Sequence, residues 1–499
     1  MRGLLVVVAA LLTGCSLAPR YDRPALPVPP SWPVGDAYLR QSEAALPSVS
    51  YAQVFTDPRL QQVIAQALAN NRDLRVAAAN IDAARARYRL QRADLLPAVD
   101  ADARYSRSYS GGSTGAASGA GTGTTTGTTT GTGTNTAASA GSAGARSSFS
   151  TQVGVTAFEI DLFGRVRSLT GAALDRYFET EAAARATRLT LVGDVADAWL
   201  QLAADRTLLK LAEDTAAASG QSVRLTRARL EGGISSRVDL AQAEQILETA
   251  QADVAQQTTA AAQDANALQL LVGTPVAGTL LPAGIDDAAG GVAALPAGVD
   301  STVLLRRPDV VQAEYELRAT NGDIGAARAA LFPRLSLTGL LGFASNALSS
   351  LFTGGAFNYS VSPTASYSIF AGGAARADVA LARAQQRAAL ASYERSIQAA
   401  FRDTADALAR QGTIQAQLDA NRRFAAAAAD TLRLTDARYQ GGIDTFLSSL
   451  DAQRSLYSAQ RLLVATAQTQ ASNRVALYRA LGGDATLDAA PGSTTASHP

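Results

Sequence analysis

Two stretches decide the reading: LTRARLEGGISS, residues 225–236, and LTDARYQGGIDT, residues 434–445. Each runs Leu-Thr-x-Ala-Arg, crosses a short bridge and reaches Gly-Gly-Ile. Paired glycines suit a left-handed cap that ends an incoming helix. In the first copy Ser236-Arg237-Val238-Asp239 has the pattern of a capping box for the outgoing helix. In the second copy Asp444 is placed to cap in the same way. Both stretches therefore predict the corner of a helical hairpin, written twice in one chain.

The flanking sequence repeats with the corners. NNRDLRVAAANIDAARARYRLQRADLLPAV (70–99) corresponds to LRRPDVVQAEYELRATNGDIGAARAALFPRL (305–335), with Pro97 matching Pro333. DLFGRV (161–166) corresponds to SIFAGGA (368–374), and the returning helices end at LLVGTP and RALGGD. Each half reads helix, strand pair, long helix, glycine corner, long helix, so the chain is a tandem duplication. From about 171 to 230 there is no proline, which predicts a helix on the order of 90 Å long. The helix from Thr445 towards Leu481 carries Leu450, Tyr457, Val464, Ala471 and Tyr478 at a seven-residue spacing, the pattern of a left-handed coiled coil.

Strands are predicted at about 98–110, 149–162, 334–345 and 357–370. In FNYSVSPTASYSIF, Phe357, Tyr359, Val361, Ala365, Tyr367 and Ile369 alternate with small polar residues. That alternation suits a strand with one face towards lipid. Four strands in hydrocarbon leave two open edges, each unpaired polar group costing several kcal/mol. The barrel must therefore be shared between copies; three would give about twelve strands and two about eight. The Gly/Thr/Ser/Ala tract between the first two strands reads as a flexible surface loop.

The 499-residue chain carries 44 Lys+Arg against 43 Asp+Glu, a balance that argues against nucleic acid as a partner. Its single Cys is Cys15 and its single His is His498. Cys/His metal sites and His-dependent nucleophilic catalysis are thereby disfavoured, and no enzymatic role or cofactor is expected. No phosphate loop is present, Lys210 being the only lysine.

MRGLLVVVAALLTGC reads as a signal peptide, too short to span a membrane as a helix. Leu12-Thr13-Gly14-Cys15 resembles a bacterial lipoprotein box. That resemblance implies cleavage before Cys15, a diacylglycerol and an N-acyl (palmitoyl) chain on this residue, and, with Ser16 following, sorting to the outer membrane. The expected organisation is signal peptide 1–14, lipidated proline-rich tether 15–54, first repeat 55–273, linker 274–303, second repeat 304–483 and disordered tail 484–499.

Four segments carry a specific resemblance: 305–339, DLFGRVRS (161–168), ARYQGGIDTFLSSLDAQRSLYSAQ (437–460) and RVALYRALGG (474–483). The chain resembles the outer-membrane factor family, the TolC-like efflux channels, and within it the OprM/NodT-type lipoproteins. The resemblance implies a mainly α fold with a small β part. Its coiled-coil hairpins would form a periplasmic α-barrel, and its strands a twelve-stranded outer-membrane barrel shared by a homotrimer. It implies a passive conduit for drugs or other small toxic compounds, fed by a periplasmic adaptor protein and an inner-membrane pump. By this resemblance Leu447 and Asp451 fall on the constriction helix. Tyr439 and Asp239 fall where the family links inner and outer coiled coils. Gly233, Ile234, Gly442 and Ile443 fall on the adaptor-docking tips. Ser448 stands where some relatives carry a second acidic residue, and Gln440 and Asp444 where some carry a basic one. A polypeptide secretion channel and a pore-less coiled-coil lipoprotein are the alternatives.

Overall fold

The computed structural model describes residues 17–29, 31–33, 50–110, 144–294 and 301–483. Cys15, the signal peptide, the Gly/Thr tract and the tail lie outside the described residues. In chain order the elements are α1 (Tyr51–Val54), α2 (Pro58–Asn70), α3 (Arg72–Ala93), β1 (Val99–Ser110) and β2 (Gly144–Glu159). They continue with α4 (Arg165–Glu231), α5 (Arg237–Val272), α6 (Ile285–Ala289), α7 (Pro308–Ala329), β3 (Arg334–Ser345) and β4 (Phe357–Ser366). The chain closes with α8 (Ala374–Gln440) and α9 (Phe446–Ala480). The long helices α4 and α8 have 67 residues each, on the order of 100 Å. α4 starts at Arg165 rather than near 171, because Arg165 pairs with Glu159 at 2.7 Å and Arg167 with Asp161 at 3.3 Å. Those pairs hold the helix start against the end of β2. Among the described residues no helix is long and apolar enough to cross a membrane.

Two compact units emerge. One comprises Leu90–Leu169 and Gly325–Val379 and holds the sheet, of order β1-β2-β3-β4, antiparallel throughout. Cross-strand aromatics staple it: Tyr105 lies 4.7 Å from Phe149 and Phe343 lies 5.7 Å from Phe357, centroid to centroid. Gly342 is required by close approach, since a Cβ there would meet the Thr151 carbonyl oxygen at 2.5 Å. A register shift between Val155 and Phe158 in β2 bends the sheet, with Ala157 at φ 54°. β4 ends at Ser366, not at 370: its ladder partner Ser366↔Arg334 is the first residue of β3, and Pro333 before it has no N–H to offer. Tyr359 and Val361 stand exposed on β4, as do Tyr109 on β1 and Leu341 on β3.

The other unit contains the rest of the described helices. Its main core packs α2, α4, α5 and α9 around Trp199, whose side chain is fully buried and whose Nε1 donates to the Leu280 carbonyl at 3.0 Å. The seven-residue stripe of α9 faces inward: Leu450, Val464, Ala471 and Tyr478 are buried and Tyr457 is half-buried. A second core joins α7 and α8 through Leu317, Tyr393 and Ile397.

The proline-rich N-terminal segment is extended, but its described part is no loose tether. Tyr21, Leu26, Val28 and Trp32 pack on the second core, and Trp32 stacks on Phe401 at 4.7 Å. Arg23 grips Glu314 through both carboxylate oxygens at 2.9 and 2.8 Å, and Arg318 approaches the same group at 2.5 Å. Residues 51–54, predicted as tether, form the one-turn helix α1, capped by Ser50.

Candidate functional site

The two corners fold alike because the same glycine does the same work in each. Gly233 has φ 74° and Gly442 φ 71°. Behind them Ile234 N–H donates to Arg229 O at 2.8 Å and Ile443 N–H to Arg438 O at 2.9 Å, closing the last turns of α4 and α8. Ile234 and Ile443 project from the corners, 81% and 67% exposed.

The outgoing helices start differently. Ser236 Oγ accepts from Asp239 N–H at 3.1 Å, and Asp239 Oδ2 accepts from Ser236 N–H at 2.9 Å, a complete capping box. That backbone bond also holds the Asp239 carboxyl below the usual aspartate range. In the second corner Thr445 occupies the N-cap and makes no side-chain cap bond. Asp444, read from sequence as the cap, turns instead to Arg438, whose Nε and Nη2 donate to its carboxylate at 2.6 and 3.1 Å. A charged fork outcompetes a single backbone N–H for that carboxylate, and it holds the Asp444 pKa low.

The structure does not bring Tyr439 and Asp239 together. Asp239 is engaged by Ser235 and Ser236. Tyr439 belongs to a small apolar cluster with Val223, Ala243, Phe446 and Leu450, which joins the two hairpins near their corners. Its hydroxyl accepts from Arg229 Nη1 at 2.5 Å, and the same guanidinium lies over its ring, 4.8 Å from the centroid. Sequence reasoning missed Arg229. The signal was present, since Arg229 and Arg438 hold equivalent places in the duplicated corner.

Leu447 and Asp451 sit one turn apart near the start of α9, both exposed. They border a groove of about 610 Å³ between α5 and α9, whose lining includes Gln245, Asp253 and Arg454. Asp451 makes no ion pair among the described residues, although Arg454 lies one turn further along the same helix. Further along the groove Tyr457 OH donates to Asp253 Oδ2 at 2.7 Å, with Arg461 3.6 Å from the same carboxylate. Burial and Asp253 push the Tyr457 phenol up to about 12, so it stays a neutral donor. Gln453 Nε2 donates to Ser219 Oγ at 3.1 Å, adding a link between α9 and α4. Among the described residues no group of three His, Cys, Asp or Glu is placed to hold a metal.

The family model for outer membrane efflux proteins matches residues 63–274 and 300–483. The antibiotic efflux pump outer membrane protein ArpC of Pseudomonas putida is 42% identical over 482 residues, covering 96% of this chain and 94% of that one. The solvent efflux pump outer membrane protein SrpC, also of Pseudomonas putida, is 40% identical over 488 residues, covering 97% and 98%. Among solved structures, the open state of the MtrE outer membrane channel of Neisseria gonorrhoeae superposes with a TM-score of 0.80 at 32% identity, covering 94% of this chain and 98% of that one. Duplicated helical hairpins joined to a four-stranded antiparallel sheet thus define the class, an outer-membrane channel protein. This chain belongs to the outer membrane efflux protein family. Its place is the outer membrane and its work is efflux.

Proposed function

We propose that the chain acts as a homotrimeric, passive conduit closed at its helical corners. Leu447 and Asp451 form the constriction, and the glycine corners at Gly233-Ile234 and Gly442-Ile443 receive a periplasmic adaptor protein. An inner-membrane pump supplies the energy, and this chain performs no reaction. The observation that carries the gate is the exposed pair Leu447 and Asp451 on one helix face beside the corner. Around a threefold axis such a pair makes an apolar ring beside an acidic ring, a device that excludes water at one level and favours cations at the next. Three four-stranded sheets supply about twelve strands, within the range of known barrels. Cys15 carries the lipid, a diacylglycerol and an N-acyl chain, on the strength of the Leu-Thr-Gly-Cys sequence.

The relatives named for antibiotic and solvent efflux support small toxic organic compounds as the cargo. The test is conductance of the purified protein in a planar bilayer, wild type against Leu447→Ala and Asp451→Ala. Higher conductance in the variants supports the gate, and unchanged conductance removes Leu447 and Asp451 from it. Absence of any channel events would overturn the conduit itself.

A further inference from the structure

Deep in the first hairpin, far from the corners, two carboxylates meet. Asp205 on α4 is 8% exposed and Asp264 on α5 has an oxygen, Oδ2, wholly shielded from solvent. They lie at equal sequence distance from the corner, about 40 Å along each helix at 1.5 Å per residue. Asp205 accepts from Gln201 Nε2 at 3.2 Å, and Gln201 in turn accepts from Gln468 Nε2 on α9. Asp264 faces Asp205, yet among the described residues its buried Oδ2 finds no donor. Two ionised carboxylates are both acceptors, so a contact between them leaves this oxygen orphaned and two like charges adjacent. One proton repairs both defects at once.

The neighbouring cations are committed elsewhere. Arg206 on α4 donates to the Pro282 carbonyl, and Lys210 pairs with Asp214. Beyond Arg237, α5 carries no lysine or arginine at all. On α9, Arg461 faces Asp253 and Arg474 donates to the Val292 carbonyl. From the α2–α3 corner, uncharged Asn71 reaches the Leu271 carbonyl, and Arg72 and Arg75 are exposed. Burial first, then the Asp205 bond and charge, push the Asp264 carboxyl up to about 7.

We propose that Asp205 and Asp264 share a single proton and act as a pH-sensitive brace inside the first hairpin, tight with the proton in place and loosened when it leaves. Through Gln201 and Gln468 the brace also bears on the second hairpin. The sign follows from linkage. The folded chain holds a proton that the unfolded chain gives up near pH 4, so stability falls as pH rises from about 4 through about 7. The channel reading is not needed for this, since the brace is a property of one hairpin.

The test uses the full-length protein in detergent. Thermal unfolding is followed from about pH 5 to about pH 8, a range spanning the upper limb of the titration, for wild type and Asp264→Asn. The amide supplies Asp205 with a permanent donor. The expected result is a Tm that shifts downward with pH in wild type and a flatter profile in the variant; parallel profiles overturn the proposal. Infrared spectroscopy supplies a second reading by difference, because burial also pushes the Asp197 carboxyl up, to about 6. A protonated-carboxyl band that is lost from wild type as pH rises through neutrality and is missing from Asp264→Asn supports the shared proton, and identical bands in the two proteins overturn it.

Discussion

The Arg229 guanidinium lies over the ring of Tyr439, 4.8 Å from its centroid, and donates to its hydroxyl at 2.5 Å. This one contact ties the end of α4 to the end of α8, and so one hairpin to the other. Its duplicate, Arg438, stays within its own corner and grips Asp444. The two arginines began as copies of one residue and now do different work, one linking the hairpins and one stiffening a turn. If the hairpins separate when the channel opens, the Arg229 contact must break. A hydrogen bond from a charged donor with an added cation–π component contributes about 1–2 kcal/mol when half-buried. Arg229→Leu should therefore raise the open-to-closed ratio roughly five- to thirtyfold. Open probability in single-channel recording is the measure, and Tyr439→Phe, which keeps the ring but loses the hydroxyl, should give a smaller rise.

Among the described residues Asp451 is exposed and makes no ion pair, so at the proposed constriction its charge would face passing ions. Asp451→Asn should reduce preference for cations without altering the fold. The reversal potential under a salt gradient reads this directly, and an unshifted potential would place Asp451 away from the ion path.

Glu314 holds the N-terminal segment to α7 and α8. Burial works to raise its carboxyl, but Arg23 and Arg318 together bring it below the usual glutamate range. A lowered carboxyl stabilises the folded state above its unfolded pKa and loses that effect as pH falls through the folded one. The segment should thus release only in acid, below about pH 4, the opposite sense to the Asp205–Asp264 pair. At neutral pH Glu314→Ala strands Arg318 beside a buried void. Because Arg23 is half exposed, its side of the loss is discounted, to about 1–3 kcal/mol in all. The emission of Trp32, stacked on Phe401 in the folded segment, should move to longer wavelength, and trypsin should reach Arg20 and Arg23.

Gly342→Val tests the sheet. A Cβ at this position meets the backbone and side chain of Gln152 at 2.9 Å as well as the Thr151 oxygen at 2.5 Å. Overpacking against fixed backbone costs about 1–3 kcal/mol or more. The yield of assembled protein recovered from membranes should fall. Gly339→Val, where nothing lies within 4 Å of the added atom, should be tolerated.

Much of this architecture was legible because a few residue types have narrow conformational meanings. Glycine after a helical run marked both corners, proline marked both helix ends, and alternation marked the strands. What escaped was decided by partners distant in sequence. The alternation of Tyr367 and Ile369 promises a longer β4, but β3 has no residue left to pair with them. Asp444 has the chemistry of a cap, and only the fold shows that Arg438 reaches it first. The proline-rich segment looks like tether until Glu314, nearly three hundred residues away, is seen to hold Arg23. Arg229 carried a signal in the duplication itself, but the identity of its partner depended on how the two hairpins pack.

Among the described residues the outermost strands, β1 and β4, each present one row of backbone groups without a mate. A lone copy could not rest in oil with those rows bare. On the proposed shared barrel, entry of the chain into the bilayer is then tied to its meeting with further copies, since only they can cover those rows.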